Sequence, residues 1–211
     1  MLKTTLNKIR ECDPCSGRWE TLLRFLGKTQ ADDEELLFLT IVESNGYDDA
    51  LWCMRAAPEY EKEWRLFAVW CARQVQHLMT DERSIAALDV TEKHTNVDAT
   101  DDELNSASNA AWAAVSAEKS PEVRASASAA AWAAAWAAAS NAASAAATAE
   151  ARYAARAAAS NAASNAASAA ASAEASAAAW ATESAEESAA AWAAARYAQK
   201  QQFIKIISGF N

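Results

Sequence analysis

A chain of 211 residues suffices for one compact domain or two small ones with a real core, so size alone requires no disulfide or metal staple. The hydrophobic share of 52% overstates that core, because residues 121–200 hold 44 alanines and alanine buries little apolar surface. A net charge of −9, with 13 basic against 22 acidic residues in 1–120, disfavours nucleic acid and anionic membranes as partners, and four glycines and three prolines leave little for β-hairpins or glycine-rich phosphate loops.

Residues 1–100 read as amphipathic helices separated by legible punctuation. A first helix is predicted over Leu2–Cys12, stopped by Pro14. Ser16 caps a second that carries Trp19, Leu22, Leu23, Phe25 and Leu26, and Gly27 ends it as a residue able to take the left-handed conformation. Asp32 and Asp33 are expected to open a third helix, closed by Asn45-Gly46. Asp48 or Asp49 starts a short one through Trp52 and Met54. Pro58 lies near the first turn of a longer helix holding Trp64, Leu66, Phe67, Val69, Trp70, Val75 and Leu78. Asp81 begins the next, which ends near Val97. Thr100-Asp-Asp-Glu103 has capping-box spacing and predicts a helix to about Lys119.

Past Pro121 no glycine or proline occurs until Gly209. One unbroken helix there would run about 130 Å, so weaker signals must interrupt it. Ser140-Asn141, Ser160-Asn161 with Ser164-Asn165, and Thr182-Glu183-Ser184 are the candidates, since these side chains compete for the backbone at caps and turns. Helices of about 20 residues, folded back on one another, are expected. The fold class is therefore all-α: a multi-helix bundle or solenoid with an amphipathic N-terminal region (1–100) and closely packed alanine-rich helical hairpins (101–211), together one continuous domain.

The amino terminus lacks the apolar run of a signal peptide, and the alanine-rich stretch around 129–139 is interrupted well short of a bilayer span. A cytoplasmic protein with no membrane segment is expected. Cys12-Asp-Pro-Cys15 has redox or half-zinc spacing, but Cys53 and Cys71 sit in apolar helical contexts and a second such pair is missing. No metal and no cofactor is expected.

From Ser108 to Lys200 every fourth residue is something other than alanine: thirteen serines, Thr148, Trp112, Trp132, Trp136, Trp180, Trp192, Arg124, Arg152, Arg156, Arg196 and Lys200 among 24 positions, with Ser108 and Lys200 as the ends. The carboxylates Glu122, Glu150, Glu174, Glu183, Glu186 and Glu187 all fall off this frame. Four residues overshoot a helical turn by about 40°, so the frame drifts around each helix while the remaining faces stay bare alanine. Bare faces let helices approach at the short end of the range of about 8–10 Å. Arg152-Tyr153-Ala-Ala-Arg156 recurs 44 positions later as Arg196-Tyr197-Ala-Gln-Lys200, and Trp136 maps onto Trp180 at the same interval, suggesting a helical-hairpin repeat.

Indoles and guanidiniums along one helix side suit a nucleotide: bases stack on Trp or Tyr and Arg pairs with phosphate. Trp132, Trp136, Arg152, Tyr153, Arg156, Trp180, Trp192, Arg196 and Tyr197 are the candidate ligand-binding residues. Two other readings stand beside this one. The tryptophans fill gaps in an alanine-packed bundle, with the arginines solvated or paired to glutamate; or the tetrad reflects repeat slippage without positional meaning. Catalysis has little support, because His77 and His94 belong to no metal or nucleophile motif, and Asp48-Asp49 and Asp101-Asp-Glu103 fit helix N-termini.

The segment from Arg65 to Val90, preceded by Asn45-Gly-Tyr-Asp-Asp-Ala-Leu-Trp-Cys-Met-Arg55 and followed by the alanine tetrads, resembles an alanine-rich helical immunity-protein family, of immunity-protein-5 type, with bacterial and phage members. The resemblance spans nearly the whole chain and implies neutralisation of a toxin or defence system; it supplies no ligand and no active site. The expectation from all of this is a non-catalytic phage-type anti-defence protein of the host cytoplasm. It would sequester a cyclic or ADP-ribose-like nucleotide signal and form a homo-oligomer. The rival is an immunity or inhibitor protein whose acidic half binds a host defence protein or toxin. An ice-binding alanine helix is disfavoured, since Thr148 and Thr182 form no regular threonine face.

Overall fold

A computed structural model describes residues 1–96, 99–145, 148–182 and 185–209. It is an all-α multi-helix bundle. Among the described residues the helices are α1 (Leu6–Glu11), α2 (Ser16–Leu26), α3 (Phe38–Asn45), α4 (Tyr47–Cys53), α5 (Glu61–Gln74), α6 (Glu82–Thr95), α7 (Asp101–Ala117), α8 (Pro121–Ala145), α9 (Ala149–Thr182) and α10 (Ala185–Ser208). Short 3-10 turns at Met54–Ala56, Pro58–Tyr60 and Gln76–Leu78 bracket α5. Strands β1 (Lys3–Thr4) and β2 (Leu36–Leu37) pair antiparallel, with Lys3 opposite Leu37 and Thr4 opposite Leu36.

Most helix ends obey the local chemistry. Gly27 takes the left-handed conformation (φ 65°) and ends α2, with Lys28 N–H returning to the Leu23 carbonyl at 2.9 Å. Asp81 caps α6. Thr100 and Glu103 close a reciprocal capping box: Glu103 accepts from Thr100 N–H at 2.7 Å, and Glu103 N–H donates to the Thr100 hydroxyl at 3.3 Å. That backbone donor, followed by the Thr100 hydroxyl, holds the Glu103 carboxyl below its ordinary value.

Two departures concern the N-terminal third. The first helix begins only at Leu6, because Thr5 caps it by accepting from Lys8 N–H at 3.2 Å. Residues 2–4 are extended instead, where Leu2 N–H reaches the Ile207 carbonyl at 2.7 Å and Phe38 N–H the Leu2 carbonyl at 3.1 Å. Asp32 and Asp33 open no helix. The Asp32 carboxylate is bound by Lys28, which lowers its pKa, and it also accepts from Glu34 N–H at 3.2 Å. That loop conformation delays α3 to Phe38.

In the alanine-rich part the Thr182-Glu183-Ser184 boundary stands where expected, between α9 and α10, although Glu183 and Ser184 lie outside the described residues. The other two do not. Asn141 stays within α8 and donates to Asp101 at 2.8 Å, and α9 runs straight through Ser160–Asn165. It starts instead beyond Ala145, where Thr148 accepts from Ala151 N–H at 3.1 Å. The 44-residue correspondence does not recur in the helix boundaries: Arg152 lies in the first turn of α9, Arg196 in the middle of α10.

Beside a smaller cluster of Ala87, Ala111, Ala131 and Ala134 that joins α6, α7 and α8, the main core runs from Leu6 to Ile207. Its aromatic part sets Phe203 against Trp64, Phe67 and Tyr47, with ring centroids 5.8, 5.4 and 5.6 Å away. Its other part is alanine. α8 packs along α9, with α7 on α8 and α5 beneath both, and Ala129, Ala130, Ala133, Ala163, Ala166 and Ala167 are fully buried in this layer. Two frame serines, Ser116 and Ser128, donate to the carbonyls four residues back, at 3.0 and 2.7 Å.

Candidate ligand-binding cavity

A cavity of about 390 Å³ opens where α2, α4 and the middle of α9 meet. α2 contributes Arg18 and Trp19; α4 and the turn after it contribute Asp48, Asp49, Trp52, Cys53 and Arg55; α9 contributes Asn161 and Ser164. Its size suits a small organic ligand. The mouth is shaped by Asp13, which adopts a left-handed conformation (φ 53°) before Pro14 and turns the chain from α1 into α2.

The polar groups are fixed by neighbours. Arg55 lies over the Trp52 ring at 4.3 Å, donates through Nε to the Trp52 carbonyl at 2.9 Å, and through Nη2 to Asn161 Oδ1 at 3.0 Å. Asn161 thus belongs to the cavity wall, which explains why its polar side chain does not break α9. Arg18 pairs with Asp49. Asn45 holds the same carboxylate at 3.0 Å and also donates to the Arg18 carbonyl at 2.8 Å. Asp48 pairs with Arg196 from α10. With Arg196 counted, three carboxylates and three guanidiniums surround the cavity, so the charges nearly balance. Burial pushes the Cys53 thiol up, leaving it a neutral wall group rather than a thiolate nucleophile or ligand. Cys71 is shifted upward by burial too. Both cysteines are buried free thiols, as their apolar contexts suggested.

The residues singled out by the tetrad frame occupy three other places. Trp136 is only 2% exposed, within the core. Trp132 is half-buried and meets Trp112 edge-on, with centroids 4.7 Å apart at 88°. On α10, the Arg196 guanidinium lies 4.7 Å above the Tyr47 ring and 5.8 Å from Trp192, with Trp192 46% and Tyr197 66% exposed. The side chains of Arg152, Tyr153, Arg156 and Trp180 lie outside the described residues. None of the placed candidates lines the Trp19–Trp52 cavity. Arg196 is linked to the site through Asp48. It also donates to Gln199 at 3.2 Å, and buried Gln199 donates to the Ala167 carbonyl of α9 at 2.8 Å. That relay ties the cavity wall to α10 and the alanine layer.

Sequence reasoning did not find Arg18, Trp19, Trp52 or Arg55 as a set. Asp48-Asp49 was the available signal: both carboxylates do sit in the first turn of α4, yet each also binds an arginine from a different helix.

A second polar cluster joins α5, α6, α7 and α8. Buried Arg65 pairs with Glu61 and donates to His94 Nδ1 at 2.7 Å. Because a guanidinium cannot accept, His94 carries its proton on Nε2 and donates it to Asp101 at 2.9 Å. The cluster ties helices together, and among the described residues no Ser or Cys is hydrogen-bonded to the imidazole. Among the described residues no group of three or more His, Cys, Asp or Glu is arranged to hold a metal ion, and no helix is long and apolar enough to cross a membrane. No family model, curated protein or solved structure matches this chain.

Proposed function

We propose that the chain is a non-catalytic binding protein of the phage anti-defence type, which sequesters a nucleotide-derived immune signal of cyclic or ADP-ribose-like form in the cavity between α2, α4 and α9. The observation that carries this reading is that two indoles, Trp19 and Trp52, and two guanidiniums, Arg18 and Arg55, border one nucleotide-sized cavity. An indole offers a stacking face to a base, Arg pairs with phosphate, and Asn45, Asn161 and Ser164 offer partners to sugar hydroxyls. Arg18 is exposed enough to exchange Asp49 for a phosphate. The anti-defence role itself rests on the resemblance of residues 65–90, with 45–55 before them and the alanine tetrads after, to the immunity-protein family.

Calorimetry with cyclic and ADP-ribose-type nucleotides tests it. Binding is expected to weaken by roughly ten- to hundredfold in Trp52→Ala, the loss of one stacked base of about 1–3 kcal/mol, and to persist in Trp192→Ala. Absence of binding by every nucleotide tried overturns the reading, and binding lost in Trp192→Ala but kept in Trp52→Ala moves the site to α10. A second reading, an inhibitor of a basic protein, draws on the exposed carboxylates Glu20, Asp33, Glu34 and Glu35, of which Glu34 and Glu35 pair with Lys28 and Lys3; a salt-sensitive protein complex would favour it.

A further inference from the structure

The two halves of α10 are used differently. Gln199, Phe203 and Ile207 are buried in its C-terminal half, whereas no residue of 185–198 is. At 100° per residue, Glu186, Ala189, Ala190, Ala193, Tyr197 and Lys200 fall within an arc about 100° wide. All are exposed except half-buried Lys200. Neither Glu186 nor Lys200 has an ion-pair partner among the described residues.

We infer that this arc docks a second copy of the same chain, the two α10 helices running antiparallel about a twofold axis at Ala193. A twofold contact is self-complementary: whatever residue i meets, its equivalent meets in return. Centring the axis on Ala193 sets Glu186 opposite Lys200 of the other copy and Tyr197 opposite Ala189, so each unpaired charge gains its opposite and each large ring enters the space above a methyl. A parallel arrangement would set Glu186 on Glu186 and Tyr197 on Tyr197. Antiparallel pairing also opposes the helix dipoles. The chain supplies its own precedent, since the alanine faces of α8 and α9 cover one another while the similar face of α10 is bare. A surface of this length, about 21 Å, buries less than roughly 1,200 Å², the range of weak and transient complexes. The association is therefore concentration-dependent and independent of the nucleotide reading.

Sedimentation of the full chain from micromolar to millimolar concentration is the experiment, with circular dichroism confirming that these surface variants keep their helicity. A monomer–dimer equilibrium is expected. Glu186→Lys weakens it by about tenfold through like-charge contact, the double variant Glu186→Lys/Lys200→Glu restores it, and Ala193→Glu abolishes it. A monomer over the whole range overturns the inference, as does a dimer unaffected by Ala193→Glu or a double variant that fails to regain the lost association.

Discussion

The aromatic core around Phe203 and the alanine layer of α8 and α9 reach the same near-zero exposure by opposite means. Around Phe203 a few large rings from α4, α5 and α10 each remove much apolar surface from water, so helices can stand apart and meet through side chains. In the alanine layer each methyl contributes little, and stability comes from many residues of high helix propensity held close together. The first arrangement is sensitive to lost volume, the second to added volume.

The largest expected effect follows on the aromatic side. Phe203→Ala should destabilise by about 3–5 kcal/mol, read as a lower midpoint in denaturant with little change in slope. A loss under about 1 kcal/mol would show that the rings merely fill space. On the other side, Ala133→Leu in α8 should cost about 1–3 kcal/mol by overpacking, measured in the same way. If the variant is instead more stable, the alanine layer is loosely packed and the contrast collapses. The smallest effect sharpens the distinction further. Ser168→Ala, at an exposed frame position of α9, should stabilise the chain by about a few tenths of a kcal/mol of helix propensity, read as a small rise in the thermal midpoint.

Legibility followed the same division. Where a helix end is decided by its own few residues, as at Gly27, Asp81 and the Thr100–Glu103 box, the boundary could be read directly. Where a polar side chain had a distant partner, the reading failed: Asn141 binds Asp101 and Asn161 binds Arg55, so neither competes for its own backbone. The strand at Lys3–Thr4 was hidden for a related reason, because its partner Leu36–Leu37 lies over 30 positions away. The cavity was hidden most thoroughly. Trp19 and Trp52 each look like ordinary core residues of an amphipathic helix, and only the crossing of α2, α4 and α9 makes them neighbours. The tetrad frame correctly marked bulky positions, but Trp136 is buried in the core and Trp132 is half-buried against Trp112.

The placement of Phe203 also bears on how the chain matures during synthesis. Trp64 and Phe67 are made more than a hundred residues before the ring that stacks between them and Tyr47, so contacts of very long sequence separation complete that part of the interior. Until α10 emerges, a nascent chain already rich in helix carries an open aromatic socket. A chaperone meeting this protein on the ribosome would find its adhesive surface there, and not along the alanine rods that dominate its sequence.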